Sequence, residues 1–357
     1  MNTKSLLLGS AAALFAASGA YAADAVVIAE PEPMEYVRVC DVYGAGFYYI
    51  PGTETCLRVG GYLRYDIRAG DGAGYPGLID VNDRLDGGLD DTYYKRARAA
   101  LQLDARSETE LGTLRAYIHI NFNWNTGRTI GNDSTTVTDV GINHAYIELG
   151  GFRIGKTDSL FTTFTGYAGG VIQDDIFTYG PFDTHQIAYT FTGGNGFSAA
   201  VALEEGNGST FTLDSYVPHV VAGVSYTQGW GGVSAVVGYD SVWEEWAGKV
   251  RLDVNATETV SLFIMGGWQS DADKPNFYAQ WGGDWAVWGG GSAKLSEKAK
   301  LNVQLTYTES ENFAAVAGVN YTLVPGLTIT PEIAYTDNFD LDDADGVTGF
   351  LRFQRNF

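Results

Sequence analysis

Hydrophobic and polar residues alternate along most of the chain with a period of two, the pattern of β-strands that have one apolar and one polar face. In the first such segment, Leu63, Tyr65 and Ile67 alternate with Arg64 and Asp66. The same alternation recurs up to the C-terminus, with little sign of a helical period. It predicts sixteen strands, at 56–68, 92–107, 111–125, 140–150, 152–158, 184–192, 196–205, 216–227, 230–241, 243–255, 258–269, 283–295, 298–309, 312–323, 326–337 and 346–357.

The lengths of these strands and of their connections distinguish a membrane barrel from a soluble sandwich. Many of the strands are long for a sandwich and suit a tilted span of a bilayer. Short connections alternate with mostly long ones, as the short periplasmic turns and long external loops of outer-membrane barrels do. The short ones are 107–110, 150–151, 193–195, 228–229, 256–257, 296–297 and 324–325, and the long ones are 69–91, 126–139, 159–183, 206–215, 270–282 and 338–345. We therefore predict an all-β fold, a transmembrane antiparallel β-barrel of about 16 strands.

The N-terminus has the features of a secretory signal peptide. Lys4 precedes an apolar stretch at 6–17, and Ala20, Tyr21 and Ala22 form a small-residue cleavage signal. The apolar stretch is too short to span a bilayer, which needs about 20 residues. The chain then divides into three parts: a signal peptide at 1–22, a periplasmic lead-in with a disulfide loop at 23–55, and the barrel at 56–357.

The two cysteines of the chain are Cys40 and Cys56. Export places them in an oxidising compartment, so we expect them to form a disulfide. A bond that closes so short a loop contributes up to about 3 kcal/mol of stability by the chain-entropy argument.

Composition and motifs narrow the possible functions. No apolar run has the length of a membrane-spanning helix and the mean hydropathy is −0.08, which excludes a helical membrane protein. The net charge of −21 argues against a nucleic-acid partner. Metal-binding, nucleotide-binding and nucleophile motifs are missing, and the four histidines are scattered. We predict no enzyme activity, no cofactor and no metal site, although a catalytic triad assembled from distant strands stays open.

Arginines are concentrated on the polar faces of the first three predicted strands. By alternation they all project from the same face of the sheet, into the lumen of a barrel. They are Arg58, Arg64, Arg68, Arg96, Arg98, Arg106 and Arg115. The alternative is that they only hydrate a polar interior or pair with the nearby Asp66 and Asp104.

The predicted loop 159–183 is apolar and aromatic and contains no lysine or arginine. It follows Asp158, and Asp174 and Asp175 lie near its centre. If the loop folds into the barrel, these carboxylates face the arginines across a pore constriction. Opposed charges would then create a transverse field that discriminates between solutes by charge. The alternative is an external flap with solvated acids.

The chain ends in a strand with an aromatic residue, Phe357, on the same face as Leu351 and Phe353. This ending resembles the terminal signal by which the barrel-assembly machinery recognises outer-membrane barrels. Arg355 lies on that face too, so it must sit at the periplasmic rim, where its guanidinium reaches water.

Long segments of the sequence resemble the alphaproteobacterial general porins, typified by the major porins of Brucella and the rhizobia. Among them are EYVRVCDVYGAGFYYIPGTETCLRVGGYLRYD, FTGYAGGVIQDD, IAYTFTGGNGFSA, YDSVWEEWAGKVR, QWGGDWAVWGG and the ending FLRFQRNF. The resemblance covers the full length. The external loops after Asp240 and Glu309 look short against those relatives.

This resemblance implies a homotrimer of sixteen-stranded barrels in the outer membrane, in contact with lipid and lipopolysaccharide. It implies passive diffusion of small hydrophilic solutes and ions, and a third external loop folded inward, which maps onto 159–183. The alternatives are a substrate-selective oligosaccharide porin and, beyond it, an outer-membrane enzyme or a structural barrel.

Overall fold

Sixteen long strands form an antiparallel barrel in the computed structural model, which describes residues 38–357. The predicted signal peptide and the first part of the predicted lead-in lie outside the described residues. The strands are β1 (Cys56–Gly70), β2 (Tyr94–Thr109), β3 (Gly112–Arg128), β4 (Ser134–Leu149), β5 (Phe152–Thr157), β6 (Thr184–Thr192), β7 (Phe197–Glu204), β8 (His219–Gln228), β9 (Gly231–Asp240), β10 (Glu245–Asn255), β11 (Val260–Gln269), β12 (Trp285–Lys294), β13 (Ala299–Thr308), β14 (Asn312–Val324), β15 (Leu327–Asn338) and β16 (Gly346–Asn356).

Each strand pairs with the next, and the last pairs with the first, so the sheet closes on itself. In the closing register Leu351 lies opposite Ile67. Beyond β16, Phe357 and Gly61 exchange two backbone hydrogen bonds of 3.1 Å. All sixteen predicted strands are confirmed, and closure leaves no unpaired edge, as a barrel in lipid requires.

The outer surface of the barrel is apolar because every second residue of each strand points outward. Ile264, Leu305 and Ile333 are each at least half exposed. Large apolar side chains in water would be unfavourable in such numbers, whereas in lipid they are the expected surface.

One predicted loop is wrong. The connection between β3 and β4 was expected at 126–139 but has only residues 129–133, because both strands continue further than their clear alternation. Threonine and valine in 134–140 favour extended backbone. Inside the barrel, Asp139 accepts hydrogen bonds of 2.7 Å from Asn123 and Asn125, which ties the two strands together.

The short turns lie at one end of the barrel and the longer loops at the other. Arg355 lies at the turn end, where its Nη1 donates a 3.4 Å hydrogen bond to the carbonyl of Gly326. This location is the one predicted for Arg355.

Loop 71–93 contains a small hairpin of Leu78–Asn82 and Leu89–Thr92.

The residues before the barrel are attached to β1. Cys40 and Cys56 form the predicted disulfide. A short strand, Tyr48–Tyr49, pairs with the start of β1.

Helix in the described residues is limited to single turns at Asp41–Tyr43, Leu160–Thr163 and Gly208–Phe211. Within 38–357 no helix has the length and apolar character needed to cross a membrane.

Candidate functional site

The lumen of the barrel has two different halves. In the half formed by β6–β12, many inward-facing residues are small and apolar, among them Ala188, Ala202 and Ala247, which are almost completely buried. In the other half, formed by β1–β5 and β16, the inward-facing residues are polar and rich in arginine. Polar inward faces were predicted for the first three strands, and the apolar inward faces of β6–β12 were not predicted.

Two loops fill the apolar half with aromatic side chains. A Cβ added at Gly223 would lie 2.5 Å from the ring of Phe164, and one at Gly238 would lie 2.6 Å from the ring of Tyr278. Phe164 belongs to residues 158–183, here called the inner loop, and Tyr278 belongs to loop 270–284. Glycine at these strand positions therefore makes room for the loop rings, and the loops pack as a core against the wall.

Inward-facing side chains also bind the backbone of the inner loop at several points along its length. These side chains project from β10, β12, β13 and β15. The hydrogen bonds run from Lys249 Nζ to the carbonyl of Tyr179 (2.6 Å), from Arg251 Nη1 to that of Tyr167 (2.5 Å), from Trp288 Nε1 to that of Phe177 (3.0 Å), from Gln304 Nε2 to that of Asp174 (2.7 Å), and from the N–H groups of Ile172 (2.5 Å) and Gln173 (2.9 Å) to the carboxylate of Glu332. A buried loop needs such partners for its backbone polar groups.

The buried carboxylate of Glu204 joins the two loops. It accepts hydrogen bonds from Ser159 Oγ (2.7 Å), from the N–H of Leu160 (2.7 Å) and from the hydroxyl of Tyr278 (3.1 Å). The start of the inner loop and loop 270–284 are thus held by one side chain. No motif marks Glu204 or Lys249 in the sequence. The available signal for Glu204 is a charged residue in the inward phase of an otherwise apolar strand, whereas Lys249 shares its inward phase with Glu245, Arg251 and Asp253.

The polar half is covered by nine inward arginines, here called the arginine wall. Seven were predicted, and the alternation of β5 and β16 would have added the other two. They are Arg58, Arg64, Arg68, Arg96, Arg98, Arg106, Arg115, Arg153 and Arg352.

Three carboxylates pair with six of these arginines. The carboxylate of Asp66 contacts Arg96 at 2.6 Å and Arg352 at 2.8 Å. The other pairs join Asp104 to Arg58 (3.5 Å), Arg106 (2.8 Å) and Arg115 (3.0 Å), and Glu148 to Arg115 (2.7 Å) and Arg153 (2.7 Å). The alternative of ion pairing with Asp66 and Asp104 therefore applies to part of the predicted set.

Three arginines of the wall make no ion pair with a carboxylate of residues 38–357: Arg64, Arg68 and Arg98. The guanidinium of Arg68 lies 3.7 Å from the ring centroid of Tyr94 and 5.2 Å from that of Tyr75. With nine guanidinium groups against four inward carboxylates, those of Asp66, Asp104, Asp139 and Glu148, the wall has an excess of positive charge.

Each predicted acid of the inner loop accepts a hydrogen bond from a tyrosine hydroxyl. The pairs are Asp158 with Tyr167 (2.6 Å), Asp174 with Tyr179 (2.6 Å) and Asp175 with Tyr75 (2.7 Å). Since the ring of Tyr75 also stacks on Arg68, this tyrosine connects Asp175 to the arginine wall.

Burial in the loop favours the neutral form of these acids. It raises the pKa of Asp174 to about 7, and the neighbouring charge of Asp175 acts in the same direction. Burial likewise raises the pKa of Asp158 and of Asp175 above the usual range, while the tyrosine hydrogen bonds oppose the shift. The charge of the loop therefore depends on pH near neutrality.

Comparison with known proteins covers the whole chain. The model of a family described as "Porin subfamily" matches residues 24–350. Porin Omp2a of Brucella melitensis is 52% identical to this chain, and the alignment covers 100% of each protein. Porin Omp2b of Brucella suis is 50% identical, again over 100% of each.

Solved structures share the architecture at much lower identity. The outer membrane channel DcaP of Acinetobacter baumannii has a TM-score of 0.64 at 17% identity, covering 87% of this chain and 99% of that one. The anion-selective porin from Comamonas acidovorans has a TM-score of 0.53 at 14% identity, covering 85% of this chain and 100% of that one. At such identities the likeness shows the barrel fold alone.

Proposed function

Since this chain belongs to the porin subfamily and is an outer-membrane channel protein, we propose that small hydrophilic solutes and ions diffuse passively through the half of its lumen that the arginine wall lines. The observation behind this proposal is the packing of the inner loop. Its backbone is bound by side chains of β10, β12, β13 and β15, and its apolar side chains pack against β6–β12, β14 and β15. The arginine wall of β1–β5 and β16 is therefore the polar surface that is left facing the lumen.

We further propose that selectivity arises from a field between the arginine wall and the acids of the inner loop. The excess of guanidinium groups attracts anions, while Asp174 and Asp175 attract cations when charged. The predicted residues Arg58, Arg64, Arg68, Arg96, Arg98 and Arg115 belong to the wall, and Asp158 joins the acids on the loop side.

Cation preference should rise with pH. A carboxyl group whose pKa is raised to about 7 is mostly neutral below that pH and charged above it, so Asp174 adds negative charge to the lumen between roughly pH 6 and pH 8. Reversal potentials measured across a KCl gradient over this range should move toward cation preference. The variant Asp174→Asn serves as the control and should flatten the change; an equally steep change in that variant would exclude Asp174 as its source.

A general diffusion pore and an oligosaccharide-selective pore differ in how they respond to neutral sugar. We expect glucose and maltose to reduce the single-channel current only as far as they lower the conductivity of the bulk solution. Titration of each sugar in a planar bilayer measures this response. A saturable block at low sugar concentration would instead support the selective alternative.

We propose that the protein assembles as a homotrimer in contact with outer-membrane lipid and lipopolysaccharide. Leu85 and Ile130 support this, since both are fully exposed apolar side chains on neighbouring external loops. Backbone and side-chain hydrogen bonds from Asn82 to residues 131–133 hold these two loops together. Such apolar tips fit contact with another subunit or with lipid.

Removal of Phe357 should impair assembly by the barrel-assembly machinery. It deletes the two backbone hydrogen bonds to Gly61 that complete the closing seam, together with the terminal aromatic side chain. We expect several-fold less trimer in isolated outer membranes, measured by electrophoresis of unheated samples, while the channels that do assemble keep the wild-type conductance. Phe357→Tyr, which keeps the ring and the backbone, is the control. Normal trimer levels without Phe357 would refute this role.

A further inference from the structure

Two arginines of the wall lie directly opposite each other on neighbouring strands. Arg64 of β1 and Arg98 of β2 are partners in the register of the sheet, and both side chains point into the lumen. Like charges at directly opposite positions of an antiparallel pair destabilise the sheet. The repulsion between the two guanidinium groups is offset if an anion binds between them.

No carboxylate of residues 38–357 lies within ion-pair distance of either guanidinium group. Nε of Arg64 donates a 2.8 Å hydrogen bond to the amide oxygen of Gln354, and Nε of Arg98 donates a 2.6 Å hydrogen bond to that of Asn123. Both partners are neutral. The terminal Nη groups of the two guanidinium groups have no acceptor within residues 38–357.

The adjacent pair on the same strands shows the contrast. Asp66 of β1 lies opposite Arg96 of β2, and its carboxylate binds both Arg96 and Arg352. The nearest acid of β1 is therefore already occupied by two other guanidinium groups. The two neutral amides orient Arg64 and Arg98 without supplying negative charge.

Aromatic rings lie beside the open guanidinium groups. The guanidinium carbon of Arg64 is 4.4 Å from the ring centroid of Tyr62, and this ring is 6.1 Å from that of His119. Stacking on Tyr62 fixes the plane of the Arg64 guanidinium and leaves its edge for hydrogen bonding. The rings also offer an apolar face to the body of a solute.

We propose that Arg64 and Arg98 form an oxyanion-binding site on the lumen wall, which holds the carboxylate or phosphate group of a solute in transit. Planar guanidinium groups bind both kinds of oxyanion through paired N–H donors in a fixed geometry, whereas Lys binds them as a point charge. The site rests on the proposed function, because solutes reach it through the conducting half of the lumen.

The test is a titration of inorganic phosphate, and separately of acetate, in planar bilayers that contain the full-length protein in KCl. Binding at Arg64 and Arg98 predicts that the chloride current falls to a plateau with a measurable half-saturation concentration. In the double variant Arg64→Gln with Arg98→Gln, this concentration should rise about tenfold or more, the loss expected for charge-assisted hydrogen bonds. The ratio of the phosphate and acetate values shows which oxyanion the site prefers.

Two further variants separate a specific site from the general field. Arg64→Lys with Arg98→Lys keeps the charge, so the reversal potential should stay near that of the wild type while the half-saturation concentration rises several-fold. Lys294→Gln with Lys300→Gln removes two charges from another directly opposed pair, where Glu297 already binds Lys294. That control should leave the half-saturation concentration unchanged.

The site is refuted if the wild-type current shows no saturation by either anion. It is also refuted if the Arg64→Gln with Arg98→Gln variant, or the charge-keeping lysine variant, binds like the wild type. An equal loss in the Lys294→Gln with Lys300→Gln control would assign the effect to the net charge of the lumen. A protein that passes no current in KCl would contradict the proposed function instead, and phosphate binding can then still be measured by calorimetry in detergent.

Discussion

Deletion of residues 166–176 is expected to raise the single-channel conductance. These residues form the middle of the inner loop and include the segment that Gln304 and Glu332 bind. The contacts of Lys249 with Tyr179 and of Trp288 with Phe177 lie outside the deletion and keep the rest of the loop in place. We expect an increase of roughly twofold or more, because conductance follows the open cross-section of the pore.

Conductance in symmetrical KCl measures this effect. The substitution Leu341→Ser, at an exposed position of the external loop 339–345, is the control and should leave the conductance unchanged. If the deletion in the inner loop also leaves it unchanged, the loop does not restrict the pore.

Opposite shifts in ion preference are expected when the two charged surfaces are neutralised separately. Asp174→Asn with Asp175→Asn should weaken cation preference, and Arg64→Gln with Arg98→Gln should strengthen it. A unit charge about 4 Å from a permeating ion is worth about 1 kcal/mol even in water, so each pair of substitutions should change the permeability ratio several-fold. Arg64 and Arg98 are the best choice within the wall, because their replacement breaks no ion pair.

The strands could be predicted because each one alternates for long enough to be recognised. Residues such as Leu63, Tyr65 and Ile67 face lipid, and Arg64 and Asp66 face the lumen, so the period of two stays visible. The exception is the connection expected at 126–139. Its threonine-rich sequence resembles a loop, but its backbone continues the antiparallel pairing of β3 with β4.

The filling of half the lumen by loops could not be predicted from periodicity. It depends on contacts between residues far apart in sequence, such as Gly238 with Tyr278 and Glu204 with Ser159. A glycine within a strand and an aromatic residue within a loop are each common, and only their proximity makes them a packing pair.

The sequence predicted the face of the sheet from which the arginines project, but it predicted only some of the ion pairs that they form. Alternation placed Arg64, Arg96 and Arg98 on one face, as the structure has them. Which arginine takes which carboxylate follows from register, and Asp66 pairs with Arg96 and Arg352 because β2 and β16 both flank β1. Arg352 lies 286 residues from Asp66 in sequence, so only barrel closure brings them together.

Opposite charges on the arginine wall and the inner loop are proposed to set the ion selectivity. The reversal potential of two double variants, one for each surface, in the same KCl gradient at pH 8 tests this most directly. At this pH Asp174 is mostly charged, so the effect of its substitution is near its largest. We expect shifts of opposite sign, toward anions for Asp174→Asn with Asp175→Asn and toward cations for Arg64→Gln with Arg98→Gln. Wild-type reversal potentials in both variants, or shifts of the same sign, would contradict it.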